Sequence, residues 1–97
     1  MIHRIALMKM NDRCDPAVIE MMQTHVARIR ESVAEVRTYD LVPNTAAGNQ
    51  GYDWLILSSF ETDADMDRYN AHPLHRAFVE AADPYTEDFI AVAYERP

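Results

Sequence analysis

The chain has 97 residues, of which 48% are hydrophobic and 26% are charged, and only two are glycines. This length fits a single domain over residues 1–97, and the composition excludes a disordered or collagen-like chain. The net charge is −7 and the nine basic residues are scattered. A general nucleic-acid binder is therefore excluded, because such proteins need clustered Lys and Arg to neutralise phosphates.

We do not expect the N-terminal segment to be a signal peptide, and we do not expect a membrane helix. No apolar run approaches the roughly 20 residues of a membrane helix. The N-terminal segment has charges at Arg4 and Lys9 and no small-residue cleavage site. Cys14 is the only cysteine, so no intrachain disulfide can form, which suits a reducing compartment. We therefore expect a cytoplasmic protein with no membrane partner.

The hydrophobic pattern predicts the element order β-α-β-β-α-β, with the second helix broken in two. The predicted elements are a strand at 2–10, a helix from 15 to about 32, strands at 36–42 and 52–60, a helix from 63 to about 70, a helical segment from 73 to about 82, and a strand at 88–94. This order is that of the ferredoxin-like α+β fold, with a four-stranded antiparallel sheet.

The predicted strands carry apolar residues on both faces. In the first strand, Ile5 and Leu7 point to one face, whereas Ala6 and Met8 point to the other. The helices can cover only one face of such a sheet. We therefore expect a second copy of the chain to cover the other face, sheet against sheet, in a homodimeric α/β barrel.

Residues 69–78, YNAHPLHRAF, hold the best candidates for chemistry. Pro73 biases His72 toward an extended backbone and breaks the helix there, so we expect these two residues to be structural. His75 then lies in the first turn of the next helix, where unpaired N–H groups favour a neutral imidazole. If the break lets Tyr69 and His75 face one pocket, His75 could act as general base and Tyr69 could donate to a developing enolate oxygen.

We expect a ligand pocket between the sheet and the helices. His3 and His25 lie on apolar faces of different elements, which favours a polar-lined pocket. The expected lining also includes Ile5, Leu7, Met22, Trp54 and Ile56. A metal is not expected, since His72 and His75 flank a helix break and there is no HExxH motif or paired cysteine. No cofactor is expected either, because the two glycines match no phosphate-binding spacing.

Two segments resemble the stress-responsive dimeric α/β-barrel (Dabb) family. The opening strand from Ile2 to Lys9 is similar to that family's hxHhhhhKh pattern, in which h is hydrophobic. The segment Tyr69-x-x-His72-Pro73-x-His75-x-x-Phe78 and a closing apolar strand complete the match, which spans almost the whole chain. The resemblance implies a ferredoxin-like fold that dimerises through its sheets.

The resemblance also implies candidate site residues. In a plant polyketide cyclase of this family, the catalytic histidine and tyrosine match His75 and Tyr69, and a first-strand histidine matches His3. This chain departs from that cyclase at two positions, with Trp54 in place of a pocket histidine and His25 in place of a tyrosine. Since a bulky indole would reshape the cavity, the same polyketide substrate is not expected.

These residues are compatible with several functions. One is a non-catalytic stress-responsive dimer, either a binder of a small organic ligand without turnover or a stress-associated structural protein, in which His72 and Tyr69 serve helix termini and packing. Another is a cofactor-free cyclase or isomerase that uses His75 and Tyr69, and a cofactor-independent monooxygenase would fit the same fold. An open pocket of about 300 Å³ or more would favour an enzyme. A pocket filled by Trp54 and Met22 would exclude one.

Overall fold

The computed structural model describes residues 1–97 as a four-stranded antiparallel sheet with helices on one face. The strands are β1 (Ile2–Met10), β2 (Thr38–Pro43), β3 (Trp54–Phe60) and β4 (Thr86–Glu95), and the helices are α1 (Pro16–Ser32), α2 (Asp63–Asn70) and α3 (Pro73–Ala82). The sheet order β2-β3-β1-β4 confirms the predicted ferredoxin-like fold. None of the helices is long and apolar enough to cross a membrane.

Local signals set the helix starts. The Asp15 side chain accepts the Val18 N–H at 3.0 Å and caps α1. The Thr62 hydroxyl accepts the Asp65 N–H at 3.1 Å and caps α2. Such caps satisfy N–H groups that lack a partner within the helix, so these helices begin where the sequence predicted.

Three strand starts differ from the prediction. β2 and β3 begin later because the residues before them serve turns. The Val36 N–H donates to the Val33 carbonyl at 3.1 Å, and the Tyr52 carbonyl accepts from the Asn44 side chain at 2.8 Å. β4 begins earlier, at Thr86, because its pairing with β1 continues through a register shift.

One face of the sheet packs on the helices and forms the core. The even-numbered residues of β1, such as Ala6 and Met8, point to this face and are buried. Ala6 pairs with Ile56, so the even-numbered residues of β3 point there too. The core centre contains four fully buried side chains, namely Met22, Val26, Ile29 and Phe60.

The opposite face of the sheet is apolar and carries no helix. We call it the free face, and its apolar residues include Ile5, Leu7, Leu55, Leu57, Ile90, Val92 and Tyr94. Four of its side chains are between 36% and 48% exposed, namely Leu57, Ile90, Val92 and Tyr94. A contiguous apolar surface of this kind is typical of an interaction site. The structure thus has the apolar residues on both faces that the alternation predicted.

Candidate functional site

A cavity of about 120 Å³ lies between α3 and the helix-facing side of the sheet. Its apolar wall consists of Ala6, Met8, Ile56, Phe78, Val79, Ala82 and Phe89. Its polar lining consists of Arg4, Tyr39, Tyr69, His75, Asp83 and Thr86. Val79 and Phe89 are 49% and 55% exposed, so they form the rim of the opening. A concave apolar wall with a few convergent polar groups is the usual form of a small-molecule site.

The break between α2 and α3 positions the polar side of the cavity. His72 has an extended backbone before Pro73, and its Nδ1 accepts the Leu74 N–H at 3.0 Å, so it caps α3. Neither His72 nor Pro73 lines the cavity. Their contacts are those of a helix start, and the break brings the end of α2 next to the first turn of α3.

His75 is held in one tautomer by the end of α2. Its Nδ1 lies 3.0 Å from the Asn70 carbonyl oxygen. A carbonyl can only accept, so Nδ1 carries the proton and Nε2 keeps a free lone pair. Burial lowers the pKa of His75 below its ordinary value of 6.5, and the charge of Arg4 lowers it further, while the Asn70 hydrogen bond opposes both. The imidazole is therefore a neutral proton acceptor near pH 7.

Tyr69 forms a buried pair of phenols with Tyr39. The two hydroxyl oxygens lie 2.5 Å apart, and both residues are 1% exposed. Burial raises the pKa of each hydroxyl, and the positive charge of Arg4 partly offsets this. The Tyr69 ring centroid lies 4.5 Å from that of His75. The site thus places a neutral imidazole beside two neutral phenols, and only one of their two hydroxyl protons is left to donate outside the pair.

The structure corrects the expected positions of His3, Ile5 and Leu7. These residues lie on the free face, because they are odd-numbered in β1 and the cavity is lined by the even-numbered ones. His3 stacks on Tyr94 of β4 there, with ring centroids 5.2 Å apart. Alternation along a strand separates these side chains from the cavity by the full thickness of the sheet.

Three other expected lining residues also lie elsewhere. Met22 is fully buried in the core, and His25 stacks on Phe78 with centroids 5.8 Å apart without reaching the cavity. Trp54, at the start of β3, lines a separate surface depression. Neither Met22 nor Trp54 fills the cavity, and Ile56 is the expected lining residue that does face it.

Arg4 and Tyr39 are cavity residues that the sequence reasoning missed. In the hxHhhhhKh pattern, counting back from Lys9 places the histidine position on Arg4, not on His3. The chain therefore has an arginine where the first-strand pattern has a histidine. Tyr39 could have been found from the alternation in β2, where the polar Thr38 and Asp40 alternate with Tyr39 and Leu41, and the latter two are buried in the structure.

Comparison with known proteins supports one family. Residues 2–96 match the family model described as the stress responsive A/B barrel domain, Dabb. No curated protein matches the chain.

Solved structures show the same fold. A dimeric ferredoxin-like protein of unknown function from Thermobifida fusca is 28% identical, with 98% of this chain and 90% of that chain covered and a TM-score of 0.86. A Dabb family protein from Mesorhizobium loti is 20% identical, with coverages of 99% and 96% and a TM-score of 0.83. A hydroxynitrile lyase from Passiflora edulis is 13% identical, with coverages of 96% and 90% and a TM-score of 0.85. The Mesorhizobium loti and Passiflora edulis structures are less than 25% identical to this chain, so they show the fold alone. The match over residues 2–96 shows that the chain belongs to the Dabb stress responsive A/B barrel domain family.

Proposed function

We propose that the protein is a homodimer whose cavity between α3 and the sheet binds a small organic ligand without turnover. The cavity carries this proposal, because polar side chains from different elements interrupt its apolar wall, among them Arg4, Tyr39, Tyr69 and His75. Its volume of about 120 Å³ is well below the roughly 300 Å³ at which drug-sized sites begin. An enclosed dry cavity of about 150 Å³ can hold benzene. This cavity is open at the rim formed by Val79 and Phe89, so a ligand with one ring fits if part of it extends into the opening.

The free face supports the homodimer. Its side chains are apolar, and no helix covers them in the single chain. Structures of similar fold from Thermobifida fusca, Bacteroides fragilis and a Jannaschia species are described as dimeric. A second copy would bury this face about a two-fold axis. The oligomeric state at low micromolar concentration tests this part, since a stable monomer would contradict it.

Closing the cavity rim tests the ligand site. Val79 lies at the rim on α3 and is about half exposed, so Val79→Trp should fold and place an indole over the opening. We expect benzamide to bind the wild type and to bind this variant at least about tenfold more weakly. The matched control is Glu80→Trp, the next residue of α3, which is exposed and does not line the cavity. Equal binding to all three proteins, measured by calorimetry, would place the ligand elsewhere.

A second function, proton transfer next to a carbonyl, is favoured by one specific observation. The Nε2 lone pair of neutral His75 is free because Nδ1 is held by the Asn70 carbonyl, and the Tyr69 ring lies beside it. His75 would accept a proton from the carbon next to a carbonyl. Tyr69 would donate a hydrogen bond to the oxygen on which negative charge develops.

Isotope exchange tests this second function. In deuterated water, we expect the wild type to speed hydrogen–deuterium exchange next to the carbonyl of butanone, and His75→Gln to lower this rate about a hundredfold. The rate should fall as the pH drops below the lowered pKa of His75, because the imidazolium cannot accept a proton. His25→Gln is the control, since His25 lies outside the cavity. NMR measures the exchange rate of butanone. If His75→Gln exchanges butanone at the wild-type rate, this function is excluded.

A further inference from the structure

Arg4 is a cation in the cavity wall without an anionic partner in the chain. It is half-buried, and it takes part in none of the ion pairs of the structure. Its cross-strand neighbours, Ser58 and Ala93, are short and uncharged. Asp83 is the one carboxylate in the lining, and it is exposed and forms no ion pair with Arg4. The positive charge therefore faces the cavity unneutralised.

A guanidinium in this position is suited to bind a carboxylate. Its planar fork of N–H donors matches the two oxygens of a carboxylate, and such charge-assisted bonds are stronger than those between neutral groups. A half-buried charge that lacks a partner has lost part of its hydration, so an anion in the cavity would be favourable. Ser58, beside it on the sheet, has a buried hydroxyl without a hydrogen-bond partner. Ser58 does not itself line the cavity, and no carboxylate of the chain pairs with the guanidinium of Arg4.

The proposed dimer would leave this charge unpaired. The partner would cover the free face, whereas Arg4 belongs to the even-numbered residues of β1 that point toward the helices. The thickness of the sheet would therefore lie between Arg4 and the partner subunit. An anion that meets Arg4 would have to enter through the cavity opening near Val79 and Phe89.

We propose that the cavity selects a small carboxylate, with Arg4 binding the carboxylate group and Ala6, Met8 and Ile56 holding the hydrocarbon part. This inference rests on the proposed ligand-binding function and adds the chemical class of the ligand. The field of Arg4 reaches the other polar groups of the site, because its charge adds to the lowering of the pKa of His75 by burial and partly offsets the rise that burial causes in the pKa of Tyr69. A carboxylate held by Arg4 would thus interact electrostatically with His75 and Tyr69.

Two probes of the same shape test the selection. Benzoate carries the carboxylate, and benzamide is its neutral counterpart. We expect the wild type to bind benzoate about tenfold more tightly than benzamide, measured by calorimetry at low salt. Arg4→Met should remove this preference for benzoate over benzamide, whatever its affinity for benzamide, and Arg4→Lys should keep part of the preference. The control is Arg76→Met, which removes the same charge from an exposed position of α3 outside the cavity.

The outcomes separate this inference from the proposed function. If the wild type binds benzamide as tightly as benzoate, the cavity is a ligand site but Arg4 does not select a carboxylate. The same conclusion follows if Arg4→Met keeps the preference or if Arg76→Met also loses it. If neither probe binds the wild type at millimolar concentration, both the ligand-binding function and the selection are wrong. The wild-type comparison decides the question even if Arg4→Met does not fold.

Discussion

Replacing Leu57 with aspartate will separate the two protomers of the proposed dimer. Leu57 lies on the free face opposite Ile5 and is 36% exposed in the single chain. In a two-fold symmetric interface the substitution occurs in both copies. A carboxylate buried without a partner costs several kcal/mol, so the dissociation constant of the dimer should rise at least about a thousandfold. Sedimentation velocity at low micromolar concentration should show a dimer for the wild type and a monomer for Leu57→Asp.

The matched control adds the same charge away from the sheet. Thr24 is an exposed residue on α1, so Thr24→Asp should leave the protein dimeric. Circular dichroism should show that Leu57→Asp keeps its secondary structure, which separates dissociation from unfolding. A Leu57→Asp protein that sediments as a dimer would contradict the assignment of the free face as the interface.

Truncating Tyr69 will cost more stability than removing its hydroxyl. The ring is 1% exposed and packs against Tyr39, Phe60 and His75, with ring centroids between 4.5 and 5.5 Å away. Tyr69→Ala should therefore lower the free energy of unfolding by about 3–5 kcal/mol, as for other large core side chains. Tyr69→Phe keeps the ring but leaves the buried Tyr39 hydroxyl without its partner, so it should cost about 1–2 kcal/mol. Urea denaturation measures both values.

The comparison also separates packing from chemistry at this position. Because Tyr69→Phe remains folded, any loss of butanone exchange in this variant can be attributed to the hydroxyl. His75 is less enclosed than Tyr69, so His75→Gln should change the free energy of unfolding less than Tyr69→Ala does. A Tyr69→Ala protein as stable as the wild type would contradict the placement of this ring in the core.

The fold could be predicted from the sequence because its signals are local. The capping residues Asp15 and Thr62 and the proline at position 73 act within one helical turn, and each helix begins where they indicate. The helix break places Tyr69 and His75 near each other by chain geometry alone. These two candidates could therefore be found without knowledge of the sheet.

The cavity wall could not be predicted in the same way. β1 is apolar on both faces, so its alternation does not say whether the face of Ile5 or that of Ala6 meets the helices. That choice is made by packing between distant elements, which no local signal reports. The expected lining therefore mixed side chains from both faces of the sheet, and it lacked Arg4, which shares a face with Ala6 and not with Ile5.

The most direct test of the central claim is to locate a bound ligand by NMR. With benzamide and benzoate added to protein with ¹³C-labelled methyl groups, we expect the largest shifts at Met8, Ile56 and Ala82, which line the cavity. Methyl groups of the free face, such as Leu57 and Val92, should not change. Saturable shifts at the cavity methyls would agree with ligand binding between α3 and the sheet. Shifts confined to the free face or to the surroundings of Trp54, or no shifts at millimolar ligand, would contradict it.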